Sequence, residues 1–494
     1  MKTLLLVNMT TFADTYPEEI GEIEKAIETF ARTHNAEVLD IGDVYKQKTG
    51  KPITIPTYPN PELTTMARDI KAEIISKTDG KLDYLILVGD EDVIPMWEIQ
   101  LGRTLFHTDS FYSDLDGDGL PEVVTTRVLG HPDAMQRQLS EKVENTGPNA
   151  TILCSEDTRI HLETQRFLDV LSQQGHEVEV LGRGGAECLS HSDLIIHFGH
   201  GSPKSLSNRF GENFVTAKDM PELSRQPIAI VDGCATTPPG STLLRAFLNN
   251  GCRAYLGSTA TVMGMVPARY TNQLVMHFLD TYALHPEWSV AKLLMHARVE
   301  YASVTGLSEL LLELEQTGNV NKLVSDMRTH LLTFLEWHAY GSPFACLNQG
   351  KTQPVFAKHP LVESELTLEG GKQSITDMLF EIKSTDGQPI LYLRADWLNS
   401  ITPSIVIHIQ QNGQVLHVML GNTDIIYQHI ENICVGGYVD GDLYHAYWLL
   451  PLQRVVGENR LRIELVTQKA GLTILPESVV EIWPEWETIS APEK

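Results

Sequence analysis

The sequence predicts an α/β protein with two α/β subdomains and a C-terminal antiparallel β-sandwich. In the first 150 residues, short apolar runs alternate with amphipathic helical stretches, which is the pattern of a parallel sheet with crossover helices. The same alternation restarts near residue 149. From about residue 360, short segments alternate apolar and polar residues between turn signals, as in a sandwich.

The first subdomain is predicted to span residues 1–148. The run LDYLILVGD is apolar on both faces, as a parallel strand buried between two helical layers must be. In the helix EEIGEIEKAIETFARTH, isoleucines recur at helical spacing. The predicted elements of this subdomain are strands at 2–8, 36–42 and 82–90 and helices at 18–34 and 62–77.

The second subdomain is predicted to span residues 149–350, and the sandwich residues 358–494. A helix within 131–148 is expected to connect the two α/β subdomains, and the stretch 339–356 is expected to connect the second to the sandwich. The predicted strands of the second subdomain are ATILCS, EVEVLG, DLIIHFGH, PIAIVDGC and RAYLGST, and its predicted helices lie at 161–175, 242–250, 268–284 and 288–302.

Composition excludes several classes of function. The 494 residues carry a formal net charge of −26, which disfavours direct nucleic-acid contact because such proteins present a basic face. No segment reaches the roughly 18 apolar residues of a membrane span, and the N-terminal apolar run is too short for a signal-peptide core. We therefore expect a cytoplasmic protein without membrane contact. Six scattered cysteines without a CxxC pair suggest neither a disulfide framework nor a zinc site.

Two predicted strands end in residues that can carry out acyl transfer. The stretch LIIHFGHGS carries His200 after its apolar run, and 34 residues later IAIVDGCATT carries Cys234 after its own apolar run. Loops converge at the carboxyl ends of parallel strands, where a thiolate can attack a carbonyl while an imidazole moves protons. The neighbouring glycines, Gly201 and Gly233, would let a substrate backbone approach and could expose N–H groups to an oxyanion.

Other residues at these strand ends have structural explanations. His197 lies in mid-strand, and a hydrogen-bonded core role fits it better than catalysis. Asp232 could orient a polar loop or merely cap a turn. Cys252, in NNGCRAYL, is expected to be a packing residue at the start of a strand.

The stretch DLDGDGLPE indicates a cation site. Asp114, Asp116 and Asp118 alternate as in D-x-D-x-D-G calcium loops, and Glu122 occupies the ninth position. Thr125 stands where an EF-hand has glutamate, so the loop is not a full EF-hand. Calcium is the favoured ligand, and an acidic turn without metal is the alternative.

The two strand-end motifs resemble the His-Gly and Cys blocks of the caspase/gingipain superfamily of cysteine peptidases. The interval between His200 and Cys234 is similar to that of the gingipain branch, as are DSFYSDLDGDGLPEVVTTRV and YGSPFACL. The resemblance covers about residues 1–350 and implies a caspase/gingipain-like catalytic unit followed by a β-sandwich. We expect neither a prodomain nor a secretion signal in this protein, in which it would differ from gingipains.

The resemblance implies a role for each motif residue. His200 would be the general acid–base and Cys234 the nucleophile, with the N–H groups of Gly201 and Cys234 in the oxyanion hole. Gingipains cleave after Arg or Lys through an acidic pocket residue, and Glu156 or Asp157 would supply that carboxylate here. The alternative for these two acids is a helix N-cap. Gingipain-like catalytic domains also bind calcium.

The sequence therefore predicts a cysteine endopeptidase that forms an acyl-enzyme and cleaves after Arg or Lys. Its partners would be a protein or peptide substrate and a regulatory protein that restrains it. No organic cofactor is expected, and neither a G-x-G-x-x-G after the first strand nor a Walker A sequence supports a nucleotide binder. The rival hypothesis is a non-catalytic, calcium-stabilised interaction scaffold. Selective labelling of Cys234 by a thiol probe would distinguish the two.

Overall fold

The computed structural model describes two compact units. Unit 1 comprises residues 1–263, 273–323 and 327–352, and unit 2 comprises 264–272, 324–326 and 353–494. The described residues are 1–101, 104–140, 147–154, 167–347 (without 169, 173, 209, 263, 266–268, 318–319 and 321–324), 357–362, 366–369, 375–383, 388–398, 404–422, 427–430, 433–440, 443–467, 471–475 and 478–483. Among these residues, no helix has the length and apolar character needed to cross a membrane.

The helices and strands follow one another along the chain in this order. The helices are α1 (Met9–Thr15), α2 (Ile20–His34), α3 (Ile41–Thr49), α4 (Glu62–Thr78), α5 (Pro132–Ser140), α6 (Ala186–Leu189), α7 (Thr242–Asn249), α8 (Thr271–Leu284), α9 (Val290–Thr305), α10 (Ser308–Thr317) and α11 (Ser325–Glu336). The strands before residue 350 are β1 (Thr3–Val7), β2 (Glu37–Asp40), β3 (Tyr84–Val88), β4 (Trp97–Leu101), β5 (Thr104–Thr108), β6 (Val124–Val128), β7 (Asn149–Cys154), β8 (Glu177–Leu181), β9 (Leu194–Phe198), β10 (His200–Ser202), β11 (Ser205–Ser207), β12 (Asn213–Thr216), β13 (Ile228–Asp232), β14 (Ala254–Ser258), β15 (Gly264–Met265), β16 (Arg269–Tyr270) and β17 (Trp337–Gly341). Those after it are β18 (Ala357–Pro360), β19 (Leu366–Glu369), β20 (Ile375–Ile382), β21 (Gln388–Leu398), β22 (Ser404–Gln411), β23 (Gln414–Asn422), β24 (Tyr427–Ile430), β25 (Ile433–Asp440), β26 (Leu443–Pro451), β27 (Gly457–Leu465), β28 (Gly471–Ile474) and β29 (Val479–Trp483).

Unit 1 is built on one ten-stranded sheet with the order β2-β1-β3-β6-β17-β14-β13-β9-β7-β8. Strands β2, β1, β3 and β6 are mutually parallel, and so are β14, β13, β9, β7 and β8. Strand β17 lies between these two groups and pairs antiparallel with β14. The strands of the two predicted α/β subdomains thus belong to one sheet.

The central strands of this sheet are apolar along their whole length because both faces are covered. Every residue of β1, β9 and β14 is buried. The apolar runs read from the sequence therefore correspond to strands, as a two-sided parallel sheet requires. Helix α2 packs its buried residues Ile23, Ile27 and Phe30 on one stripe, at the predicted spacing.

Unit 2 contains antiparallel sheets with one hydrophobic core. The larger sheet has the order β18-β29-β21-β26-β25-β24, with β28 also paired to β21, and a four-stranded sheet has the order β20-β27-β22-β23. Buried side chains from both sheets form one cluster. Trp397 and Trp448 stack within it, with ring centroids 6.4 Å apart. Alternating residues face this core, as the sequence pattern predicts.

Several elements differ from the sequence prediction. The strand predicted at 36–42 ends at Asp40, because the Asp40 side chain accepts a hydrogen bond from Gly42 N and starts α3. The short hairpins β4–β5 and β10–β11 and the strand β17 were not predicted. Each of these strands has only three to five residues, which is too few to show a hydrophobic periodicity in the sequence.

Candidate active site

The two strand ends that carry His200 and Cys234 are neighbours in the sheet. Strands β9 and β13 pair in parallel, with Phe198 opposite Asp232. The pairing continues for one further bond, from Gly199 N to Asp232 O at 3.2 Å. His200 and Cys234 each follow their paired position by two residues, so the structure brings the two predicted catalytic residues to the same edge.

The backbones beyond the paired strands are in direct contact. A Cβ atom built on Gly201 would lie 2.8 Å from the carbonyl carbon of Gly233 and 3.0 Å from Cys234 N. It would also lie 2.5 Å from Thr236 Cγ2. No side chain fits in this space, so the glycine is a steric requirement. The contact places the N–H groups of Gly201 and Cys234 in one small region.

His200 lies on a small antiparallel sheet that projects from the end of β9. It begins β10, where it is opposite Ser207 of β11, and β12 completes this sheet of three strands. The side chain is exposed, whereas Leu206 and Val215 of the same sheet are buried. The hairpin is therefore anchored by its apolar residues and presents the imidazole to solvent.

Cys234 lies in a turn with a left-handed residue after it. Ala235 has φ +47°, a region that costs a non-glycine residue about 1–2 kcal/mol. The turn is held by hydrogen bonds from Ala235 N to Ala260 O at 2.5 Å and from Thr237 N to Ser258 O at 2.9 Å. This geometry directs the half-buried thiol towards the loop after β14, where Sγ lies 3.6 Å from Val262 O.

The loop after Cys234 is also held at its far end. Glu91 accepts a short hydrogen bond from Gly240 N and pairs with Arg245 Nη2 at 2.8 Å. Ser241 Oγ donates to Thr236 O at 2.6 Å. The segment from Cys234 to Ser241 is thus fixed at both ends by described residues.

The electrostatic environment favours the thiol form of Cys234. Burial raises its pKa, and the nearby carboxyl groups of Glu336 and Asp232 raise it further. Ionisation to the nucleophilic thiolate therefore depends on a base that accepts the proton. Two imidazoles lie near this edge, of which His197 is buried and His200 is exposed.

Glu336 is a buried acid that the sequence analysis did not single out. It is fully buried at the junction of α11 and β17, and neither carboxyl oxygen has a hydrogen-bond partner of good geometry among the described residues. Burial raises its pKa well above the ordinary value, although the Ser258 hydroxyl opposes the shift. In the sequence, the only indication of this buried acid is that Glu336 is the one acidic residue in the apolar run LLTFLEWHAYG.

His197 is a buried residue of β9, which agrees with the core role favoured by the sequence. Its Nε2 is 3.2 Å from Ser207 O, and the ring packs edge-on against Phe214. Burial lowers its pKa to about 4. The imidazole is neutral at pH 7 and connects β9 to the hairpin that carries His200.

The four predicted metal ligands also come together. The ligand oxygens of Asp114, Asp116, Asp118 and Glu122 lie within 4.8 Å of one another. Asp114 is buried, and its carboxylate accepts hydrogen bonds from Gly117 N at 2.7 Å and Gly119 N at 3.1 Å, which fold the loop.

Lys71 of α4 was not predicted as a neighbour of this acidic loop. Its buried ammonium lies 3.1 Å from Asp114 Oδ2 and 2.7 Å from Glu315 Oε1 of α10. The lysine lies on the face of α4 that also buries Ala67 and Ile74. A lysine at a core-facing helical position is unusual, so the sequence did contain a sign of this buried ion pair. Glu156 and Asp157, the predicted pocket residues, lie outside the described residues.

Comparison with models of protein families identifies one family. The model of the family described as Peptidase family C25 matches residues 12–150 and 183–327. The chain is similar to the Arg-specific cysteine proteinase gingipain R, with 12% identity, a TM-score of 0.47 and 98% coverage of both chains. It is also similar to the complex of the pro- and mature domains of RgpB from Porphyromonas gingivalis, with 13% identity, a TM-score of 0.48 and coverage of 98% and 100%. No curated protein matches the sequence.

Proposed function

The chain belongs to peptidase family C25, the gingipain family of cysteine peptidases, and from this premise we propose that it is an endopeptidase in which Cys234 is the nucleophile and His200 the general acid–base. The observation that carries this assignment is the contact between Gly201 and the Gly233–Cys234 peptide. It brings the end of one strand against the end of the next, with an imidazole on one and a thiol on the other.

The reaction begins with transfer of the Cys234 proton to His200. The thiolate then attacks the scissile carbonyl carbon and forms a tetrahedral intermediate. His200 donates its proton to the leaving amine, and the acyl-enzyme remains on Sγ. Water, deprotonated by His200, attacks the acyl carbon and releases the thiolate. The raised pKa of the thiol is consistent with this dependence on an imidazole base.

The oxyanion of the tetrahedral intermediate would accept hydrogen bonds from Gly201 N and Cys234 N. Their close approach supports this role, since a Cβ at Gly201 would come within 3.0 Å of Cys234 N. Backbone donors fixed in this way need no reorganisation when negative charge develops. The anchored segment between Ala235 and Ser241 supports the same rigidity.

For specificity, we propose cleavage after Arg or Lys, with Glu156 or Asp157 as the pocket carboxylate. The support is family membership together with the position of these acids directly after β7, which pairs with β9. A desolvated guanidinium that loses its carboxylate costs several kcal/mol. Glu156→Ala or Asp157→Ala should therefore lower kcat/KM for Arg substrates far more than for neutral ones. Equal losses, with a stability loss of about 1 kcal/mol, would indicate an N-cap instead.

We also propose that the loop Asp114–Glu122 binds calcium. Four carboxylates within 4.8 Å supply hard oxygen ligands, and the hydrogen bonds of Asp114 fold the loop around that position. Lys71 neutralises part of the acidic charge and remains a neighbour of the ion. The ion would stabilise the loop and has no role in the peptidase steps.

The activity assignment is tested with Cys234→Ala and His200→Ala. Both should abolish hydrolysis of peptides while the melting temperature stays near that of the wild type. Cys188→Ala is the matched control, because Cys188 is another cysteine with partial exposure and lies far from β13 in the chain, and it should retain full activity. Hydrolysis by Cys234→Ala would leave the family assignment in place and remove the proposed nucleophile.

A further inference from the structure

The turn after β14, residues 258–260, supports the backbone that follows the proposed nucleophile. Ala235 N donates a hydrogen bond to Ala260 O at 2.5 Å, and Thr237 N donates one to Ser258 O at 2.9 Å. The left-handed φ of +47° at Ala235 is therefore maintained by carbonyl groups of this support turn. A displacement of the support turn would change the orientation of the thiol.

Glu336 meets the support turn through both its main chain and its side chain. Its carbonyl oxygen accepts a hydrogen bond from Thr259 N at 2.9 Å. Its carboxyl group lies within reach of the Ser258 hydroxyl, although not in ideal hydrogen-bond geometry. The junction of α11 and β17 therefore brings a buried acid against the turn that holds the residues after Cys234.

The carboxyl group of Glu336 is neutral in the folded protein. It is fully buried, and no lysine or arginine pairs with it in the part of the chain that the structure describes. An unpaired carboxylate is strongly disfavoured in such surroundings. Burial raises the pKa of Glu336 well above its ordinary value, and the nearby Asp232 raises it further. The group therefore keeps its O–H and can donate one hydrogen bond.

Ser258 Oγ has an acceptor position for this donor. Its proton points to Ala260 O at 2.8 Å, and one of its lone pairs accepts a hydrogen bond from Ala260 N at 3.2 Å. A hydroxyl oxygen accepts two hydrogen bonds, so the second lone pair can accept from the O–H of Glu336. An ionised Glu336 would instead attract the hydroxyl proton and withdraw it from Ala260 O.

We propose that Glu336 is a positioning residue for Cys234. Its carboxyl O–H donates to Ser258 Oγ and keeps the Ser258 hydroxyl proton on Ala260 O. Since that carbonyl also holds Ala235 N, the relay fixes the turn that presents the thiol and the N–H group of Cys234. A neutral acid at this position also adds no negative charge beside the thiolate. The inference rests on the proposed function, in which Cys234 is the nucleophile.

The test uses substitutions that keep or remove the donor and the acceptor of this relay. Glu336→Gln keeps a donor, because its amide can donate to Ser258 Oγ, whereas Glu336→Met has a similar length and no donor. Ser258→Ala removes the acceptor. Glu309→Met is the control, because Glu309 is exposed on α10. The measurements are kcat and KM for a peptide and, at constant pH, the rate of Cys234 alkylation by iodoacetamide, mapped by mass spectrometry.

Glu336→Met should lower both kcat and the alkylation rate about tenfold, the effect of one lost hydrogen bond, while KM stays close to that of the wild type. Glu336→Gln should keep both rates near those of the wild type, and Glu309→Met should not change them. Ser258→Ala should lower both rates at least as much as Glu336→Met. Adding Glu336→Met to Ser258→Ala should cause no further loss, because both changes remove the same hydrogen bond.

Wild-type rates in Glu336→Met, an equal loss in Glu336→Gln, or additive losses in the double variant would each overturn the proposal. If Glu336→Met does not fold, wild-type rates in Ser258→Ala would overturn it. A merely structural role would lower the melting temperature and leave kcat of the folded enzyme unchanged. Hydrolysis by Cys234→Ala would instead overturn the proposed function, and alkylation, which needs no peptidase activity, would still report on the support turn.

Discussion

Gly201 is the residue on which the geometry of the candidate site depends most. Its Cα faces the peptide between Gly233 and Cys234 at a distance that excludes any side chain. Cys234 in turn precedes Ala235, whose left-handed φ of +47° is maintained by the hydrogen bond to Ala260 O. Backbone strain of this kind is found where a reactive side chain must be held in a fixed orientation.

Gly201→Ala should reduce kcat strongly. The new Cβ would displace the Gly233–Cys234 peptide, and loss of one oxyanion donor costs about 100-fold or more. Gly21→Ala is the control, because Gly21 is helical with no atom within 4 Å of an added Cβ. It should keep full activity and gain slightly in stability. Undiminished kcat in Gly201→Ala would contradict the proposed oxyanion site.

Glu336 makes stability depend on pH in a defined direction. Because its pKa is raised well above 4.5 by burial, the native state keeps a proton that the unfolded chain releases. The resulting stability is fully present below pH 4.5. The free energy of unfolding then falls by up to about 1.4 kcal/mol per pH unit as the pH rises towards the pKa of Glu336 in the native state.

Glu336→Gln removes this titration, so the variant does not lose stability as the pH rises. Its free energy of unfolding minus that of the wild type should therefore increase from pH 5 to pH 8. Urea unfolding at several pH values measures the difference. The exposed Glu309→Gln is the control, and its curve should run parallel to that of the wild type. A constant offset between Glu336→Gln and the wild type would mean that Glu336 is ionised in the native state.

At the scale of elements, the strand ends were predictable and their supports were not. An apolar run followed by His-Gly or Gly-Cys identifies β9 and β13 because buried parallel strands need apolar residues on both faces. The supports come from distant parts of the chain: Glu336 and Glu91 lie near the Cys234 segment, and Lys71 contacts the acidic loop. Their partners depend on strand order and helix packing, which local periodicity does not encode.

The acidic loop gives a prediction at this scale. Calcium should raise the melting temperature, because it binds the folded loop only. Asp116→Ala combined with Asp118→Ala should abolish that shift by removing two of the four clustered ligands. Glu24→Ala combined with Glu28→Ala removes two exposed acids of α2 and should preserve it. An equal calcium shift in both double variants would place the ion elsewhere.

At the scale of the whole molecule, β17 completes the ten-stranded sheet of unit 1. It joins β14 to β6, and thus connects the strands of the two predicted subdomains in one sheet. It also places Glu336 next to the loop that faces Cys234. Its pairing partners precede it by about 80 and 210 residues, so no sequence pattern could indicate them. A cytoplasmic location and a regulatory partner stay predictions from the sequence.

The central claim is that Cys234 forms the acyl-enzyme with His200 as its base. The most direct measurement is mass-spectrometric mapping of the adduct formed with an irreversible peptidyl inhibitor that carries Arg at P1. We expect one adduct, on Cys234, with labelling slowed at least 100-fold in His200→Ala and unchanged in Cys188→Ala. An adduct on another cysteine, or equal labelling rates in His200→Ala and the wild type, would contradict the assignment.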